Sequence, residues 1–317
     1  MAYNFYLRPP PVQLHGDYKN DRLDIFINTH LDNYDIFALT ETFGTLTSRR
    51  ERLLDAAAAR GIKYWAHGPE RNWWKGKFVD SGLLVMSRFP IMVIDSVEYG
   101  IGLGPDAVAA KGIVYAQINV ADKEHNVHKV HLFVSHLQAT YIPDEDGNDL
   151  TTDTTVLRHA QFQFFRTYLS TTLSTNHYNS SLDTVLLAGD FNTPGAPFGW
   201  LPHEDSAEYT RMLLTLSTGG AKVTDVYRQR YGEQKPTWKP WKVVLGEEEE
   251  RKEEDPQSWG KRLDYLLQWE GGVKQGGRTR LRLGVDQTAL QPFKVEGTPF
   301  AQLSDHSAVT SVLNFTD

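Results

Sequence analysis

The sequence predicts a single α/β domain, and three observations predict it. Short apolar, β-branched runs bounded by turn residues recur along the 317 residues, amphipathic stretches lie between them, and no Pro-, Gly- or Ser-rich linker divides the chain. YNFYL, which carries Asn4, reads as a first strand. Lys19 to Leu31 sets Leu23, Phe26, Ile27, His30 and Leu31 on one helical face. Asp35 to Leu39 reads as a buried strand. Ser48 to Arg60 is a helix opened by a capping box, Ser48 with Glu51, and closed at Gly61. Strands follow at Gly82 to Met86, Ile113 to Val120 and Val130 to His136. Thr151 to Ser174 places Val156, Ala160, Phe164 and Tyr168 at every fourth position, which predicts an amphipathic helix with that row as its apolar face. A strand at Thr184 to Ala188, a helix at Ser206 to Leu216 and a strand at Leu263 to Gln268 complete the reading. No internal repeat of about 20 to about 50 residues is present.

Composition narrows the function classes. With 40% hydrophobic and 23% charged residues, the chain buries an ordinary core and is neither disordered nor fibrous. No apolar run reaches the roughly 18 residues of a membrane span. The net charge of −7, from 40 acidic and 33 basic residues, counts against a protein that grips nucleic acid through many phosphates. Cysteine is absent, which excludes disulfides, thiolate metal sites and cysteine nucleophiles. The biased run Gly246 to Asp255, GEEEERKEED, is flanked by Trp238, Trp241 and Trp259. It reads as a solvated charged insertion between strands, with a membrane-facing or lid role for the tryptophans as the sharper alternative.

The chemistry collects at strand ends. Glu41 follows DIFALT, His136 ends VHLFVSHL, and Asp190 with Asn192 ends TVLLAGDFN. Asp264 lies in KRLDYLLQ, and Asp305 with His306 in LSDHSAV. Rigid strands aim such side chains while loops leave them accessible. Any one alone reads as a turn cap or a structural histidine. Five in this order do not read as five unrelated caps.

The ordered set resembles the endonuclease/exonuclease/phosphatase superfamily from Asn4 to His306, with GDFN and SDH as its most specific pair. The resemblance implies a four-layered α/β/β/α sandwich of two mixed sheets flanked by helices, as in deoxyribonuclease I. Within it, SGLLVMSRFPI (Ser81 to Ile91), SHLQATY (Ser135 to Tyr141) and DAVAAKG (Asp106 to Gly112) are similar to the neutral sphingomyelinase branch. Asp106, five residues before Lys111, matches that branch's Asp-and-Lys pair; the plain alternative is a surface ion pair.

The resemblance implies a phospholipase C-type cleavage of sphingomyelin to ceramide and phosphocholine, with a related choline or ethanolamine phospholipid as the alternative lipid substrate. His306 is the implied general base, Asp264 its orienting carboxylate, and Asp190 the group that positions the attacking water. Asn192 and His136 are implied donors to the phosphoryl oxygens. Lys111 either approaches the phosphate or holds the loop that carries Asp106. Glu41 and Asn4 are the implied ligands of a Mg²⁺ ion, with Asp305 beside it and Mn²⁺ or Co²⁺ as substitutes. Phosphodiester hydrolysis asks for such residues independently: a hard cation on oxygen ligands offsets the developing charge.

Substrate access calls for peripheral contact with a membrane. Trp73 and Trp74, in RNWWKGKF, interleave aromatic and basic residues as interfacial segments do; packing beneath a loop is the alternative. The long apolar hairpin of bacterial relatives has no clear counterpart, and WKPW, from Trp238 to Trp241, is a candidate replacement. A monomer with no nucleic-acid partner is expected. MAYNFYLRPPP lacks the charged-then-apolar pattern of a secretory leader, yet secretion is the expected location, with the cytosol as the alternative. The competing functions are a nuclease or other phosphoesterase of the superfamily, and a non-catalytic lipid-binding module.

Overall fold

The computed structural model describes residues 1–10, 17–141, 148–197, 202–240, 245, 260–271 and 280–316. The acidic run 246–255, with Trp241 and Trp259, lies outside the described residues. In chain order the strands are β1 (Ala2–Leu7), β2 (Ile36–Thr42), β3 (Tyr64–His67), β4 (Leu84–Ser87), β5 (Ile91–Glu98), β6 (Gly112–Ala121), β7 (Val127–His136), β8 (Thr184–Asp190), β9 (Lys222–Asp225), β10 (Asp264–Glu270), β11 (Arg280–Leu283), β12 (Ala289–Gln291), β13 (Ala308–Thr310) and β14 (Leu313–Thr316). The helices are α1 (Lys19–Thr29), α2 (Arg49–Ala59), α3 (Asp153–Thr175), α4 (Ala207–Leu216) and α5 (Val226–Tyr231).

Two six-stranded mixed sheets run β12-β13-β1-β2-β4-β3 and β5-β6-β7-β8-β10-β9. β1 pairs parallel with β2, and β7 with β8. Strand alternation builds the layers. Val130, Leu132 and Val134 of β7, Leu186 and Ala188 of β8 and Leu266 of β10 meet Ala2, Ala38 and Val85 of the first sheet in one core. Their neighbours Phe133, Val185, Leu187, Tyr265 and Leu267 face outward onto Phe162, Phe165 and Leu169 of α3 and Met212 of α4. On the other side Tyr3, Phe5, Phe37 and Leu39 pack on Leu23 and Phe26 of α1 and Leu53 and Ala57 of α2. The result is the α/β/β/α sandwich. Among the described residues no helix is long and apolar enough to cross a membrane.

Two local expectations are corrected. The apolar face of α3 is Phe162, Phe165, Leu169 and Leu173, whereas Val156 and Phe164 are exposed. A strict every-fourth row slides about 40° around the helix at each step, while mixed steps of three and four stay on one face. Phe164 instead meets the Tyr99 ring edge-on at 5.7 Å, and the Tyr168 hydroxyl donates to Asp95 of β5. The capping box of α2 is also not formed. Ser48 has φ −97° and ψ 11°, not the extended backbone of a cap, and makes no cap bond; Thr47 Oγ1 accepts from the Arg49 N–H at 3.3 Å. Thr152, Ser206 and Asp225 do cap α3, α4 and α5.

The α3 assignment predicts a contrast. Phe165→Ala should cost about 3–5 kcal/mol in urea unfolding, and Val156→Ala no more than about 0.5 kcal/mol. Equal costs would contradict the assigned face.

Candidate active site

Register places the polar residues. Parallel pairing sets His136 beside Asp190, and antiparallel pairing sets Asp264 on the other side of Asp190. His136, Asp190 and Asp264 continue the parity of Val134, Ala188 and Leu266, so they sit at the polar end of the inter-sheet core. Gly189 makes this approach possible: it has φ +126°, and a Cβ there would lie 2.1 Å from the Ser135 carbonyl oxygen. Glu41 reaches the same place differently. Strict alternation would send it outward with Phe37 and Leu39, but its φ of 54° breaks the pattern, as does Tyr6 at 53° on the adjacent strand. The β1–β2 register shifts there, and the carboxylate turns inward.

Asn4 bridges the sheets. Its Nδ2 donates to Glu41 Oε1 at 3.0 Å and to Asp190 Oδ2 at 2.9 Å, while Oδ1 accepts from the Tyr6 N–H. His306 Nδ1 lies 2.7 Å from Asp264 Oδ2, and its Nε2 faces Asp190 Oδ2 at 3.8 Å. His136 Nε2 is 3.6 Å from the same oxygen. Asn192 donates its backbone N–H to Asp190 Oδ1, and its amide to the Leu137 carbonyl. Lys111 Nζ reaches that carbonyl at 2.7 Å and Asp106 Oδ2 at 2.8 Å. Asp106 also accepts from the Ala139 N–H. Lys111 therefore holds the loop that carries Asp106, and the pair is buried rather than a surface ion pair. A cavity of about 220 Å³ opens above, walled by Tyr141, Asn192, Trp238 and Lys261.

Burial, set against neighbouring charge, shifts the ionisable groups of the site. Burial pushes the Asp190 carboxyl up to about 7, helped by the Asp264 charge and opposed by His306 and the Asn4 bond. Burial likewise raises Asp305 to about 6, against the pull of His306. For His306, burial works against the imidazolium, yet Asp264, Asp305 and Asp190 outweigh it and raise the ring to about 10. His136 is held well below the usual imidazole range by burial, Lys111 and His306.

The donor set fits a hard divalent cation. Glu41, His136 and Asp190 each offer a ligand atom within 4.8 Å of the others, and Glu41 Oε2 is buried without a hydrogen-bond partner. Asn4 as oriented is a donor to two carboxylates; presenting Oδ1 to a cation requires turning the amide and releasing Tyr6.

The structure thus brings together Asn4, Glu41, Asp106, Lys111, His136, Asp190, Asn192, Asp264, Asp305 and His306. Trp73 and Trp74 stand apart on an exposed turn. Trp238 walls the cavity, and its indole N–H donates to Asp305 Oδ2 at 3.1 Å; Trp241, the other end of WKPW, lies outside the described residues. Thr237 was not singled out by sequence, although its Oγ1 accepts from the N–H groups of Leu263 and Asp264. Its only trace is the position of PTW ahead of the Glu-rich run.

A profile of the endonuclease/exonuclease/phosphatase family matches residues 13–306. The chain belongs to that family. Among its relatives, a sphingomyelinase of Dictyostelium discoideum is 28% identical over 336 residues, covering 89% of this chain and 72% of the relative. Beta toxin from Staphylococcus aureus, in a mutant crystal structure with bound magnesium ions, aligns with a TM-score of 0.64 at 19% identity, covering 98% of this chain and 97% of the toxin. Sphingomyelinase C from Streptomyces griseocarneus aligns with a TM-score of 0.61 at 20% identity, covering 99% and 97%. At such identities the structural likenesses show the shared fold of this endonuclease/exonuclease/phosphatase family member.

The site's charges predict how stability follows pH in metal-free protein. A raised histidine contributes stability that is full below its unfolded pKa of about 6.5 and is lost as pH rises through about 10. A carboxyl raised to about 7 also favours the folded state at lower pH. Both signs agree: in excess EDTA the urea midpoint should fall as pH rises from about 6 to about 9. Asp190→Asn should flatten that fall, and an unchanged slope would contradict the coupling.

Proposed function

We propose that this protein is a phospholipase C-type sphingomyelin phosphodiesterase that releases phosphocholine and leaves ceramide. The relation to the Dictyostelium sphingomyelinase over 89% of the chain carries the substrate. The chemistry is supported by the buried His306–Asp264 pair, whose free ring nitrogen faces Asp190 at the cavity floor.

In this reading a water held by Asp190 attacks phosphorus in line as the bond to the ceramide oxygen breaks; His306 Nε2 takes the water's proton, and the departing ceramide oxygen gains one from solvent. Asp264 fixes the imidazole so that Nδ1 keeps its hydrogen and Nε2 stays available. Thr237, by binding the Asp264 backbone N–H, fixes that carboxylate in turn. His136 and Asn192 supply donors to the phosphoryl oxygens. The Leu137 carbonyl, which receives both Lys111 and Asn192, ties these donors to the loop of Asp106. Glu41 and Asn4, with Asp305 alongside, would hold Mg²⁺, for which Mn²⁺ or Co²⁺ could substitute. When bound, the ion supplies positive charge to the phosphoryl oxygens and offsets the carboxylate field that keeps His306 protonated. The same acidic field attracts a choline cation and disfavours a polyanion such as nucleic acid.

The test is phosphocholine release from sphingomyelin liposomes, with Mg²⁺ or excess EDTA, beside phosphatidylcholine liposomes. Release that needs the metal is expected. His306→Ala, assayed with Mg²⁺ at a temperature where the variant remains folded, should lower turnover by about 10²–10⁴-fold. No release from sphingomyelin by folded wild-type protein would overturn the substrate, and full activity of His306→Ala would overturn the base.

A further inference from the structure

The turn that carries Trp73 and Trp74 is closed by hydrogen bonds, bare at its tip and joined to the active site. Its frame is a pair of hydrogen bonds between Asn72 and Lys77, both 2.9 Å, with Gly76 in the left-handed region. On that frame Trp74 is 99% exposed and Trp73 62%. Phe78, exposed beside them, meets the Trp73 ring edge-on at 5.7 Å. Exposure of this degree is not the packing of two tryptophans under a loop.

This turn is bonded to a second one. The N–H groups of Phe78 and Val79 donate to the Val108 carbonyl, and Lys77 Nζ donates to Ala107 O. The segment Gly104–Val108 is two-faced. Pro105, Ala107 and Val108 are exposed, while Asp106 turns inward to Lys111 and the Ala139 N–H. Gly104 faces the Tyr141 ring, which a Cβ added there would meet at 3.3 Å, and Tyr141 walls the active-site cavity. An apolar track therefore runs from the tip of Trp74 to the cavity mouth.

Among the described residues, the charges that flank Trp73 and Trp74 are mostly basic. Arg71 and Lys75 are exposed, and the Arg71 guanidinium lies 5.5 Å from the centre of the Trp73 ring. The nearby acid Glu70 is engaged by Arg50 and His67. Aromatic rings interleaved with cations suit the phosphate and glycerol layer of a bilayer, and do so in a chain whose overall charge is −7.

We propose that Trp73, Trp74, Phe78, Pro105, Ala107 and Val108 form the face by which this protein settles on a phospholipid bilayer. The direction of docking, cavity toward lipid, rests on the sphingomyelinase reading. Insertion of the two bonded turns brings the bilayer surface to Tyr141, so a headgroup enters the cavity without the lipid leaving the membrane. The Arg71 and Lys75 side chains stay at the phosphate level.

The test is flotation of the full chain with phosphatidylcholine–sphingomyelin vesicles, in EDTA so that lipid is not consumed. Trp73→Ala/Trp74→Ala and, independently, Val108→Asp should each lower the partition coefficient by at least about ten-fold. Turnover of a water-soluble choline phosphodiester, measured with Mg²⁺, should change less than about two-fold in either variant, because neither site lines the cavity. Unchanged partition in both variants, or wild-type protein that does not float, overturns the docking face. In the latter case, self-association lost in the variants would assign the patch to a protein contact. Wild-type protein that floats through these residues but cleaves no lipid supports the face and overturns the catalytic reading alone.

Discussion

Four carboxylates, Glu41, Asp190, Asp264 and Asp305, meet at one end of the inter-sheet core, and their mutual repulsion conditions what is built around them. Two like charges 4 Å apart cost about 4 kcal/mol at an effective dielectric constant of 20. The fold answers with what it has: the Asn4 amide between Glu41 and Asp190, the Trp238 indole on Asp305, and a proton on His306. These leave Glu41 Oε2 and Asp264 Oδ1 buried without partners. If His306 is the base, as proposed, it must be neutral to accept a proton, so the arrangement would suit catalysis only when positive charge enters among the carboxylates. In the proposed reading, a need for metal would belong to the whole cluster and not to one ligand.

Holding that cluster requires unfavourable backbone. Tyr6, Glu41 and Asn192 all adopt positive φ without being glycine, at about 1–3 kcal/mol each. Tyr6 and Glu41 lie between paired positions of β1 and β2, which hold them in place, and Asn192 follows the end of β8 with its N–H on Asp190. Gly189 meets the same demand by having no side chain. Strain here is spent on direction: it turns Glu41 from the helix-facing side to the inter-sheet side.

Much of this was legible in the sequence because strand parity and motif order are local. The runs ending in His136 and Asp190 lie where they were expected, and GDFN and SDH mark residues that the structure brings together. What sequence could not give is contact between distant segments. Trp238 read as the flank of a charged insertion because its bond to Asp305 spans 67 residues. Thr237 was invisible for the same reason. The α3 face was misread because the fourfold row ended on two aromatic residues, and only the docking of Phe164 on Tyr99 shows that it borders the sheet rather than filling the core. Ser48 satisfied a capping pattern whose backbone the fold does not provide. Short elements such as β3, β9 and β12 carry too few residues for a period to show.

The site draws on both ends of the described chain. The Ser304 hydroxyl donates to the Asn4 carbonyl across 300 residues, and Ala2 of β1 pairs with Val309 of β13. On a ribosome, Asn4 and Glu41 emerge long before the segment that bears Asp305 and His306. The emerging first sheet must therefore wait with its central strand β1 unpaired on one side, a template for wrong pairing. The cluster is complete only when the late strand closes that edge, so a chain cut off before Ser304 would carry Glu41, Asp190 and Asp264 but lack Asp305 and His306.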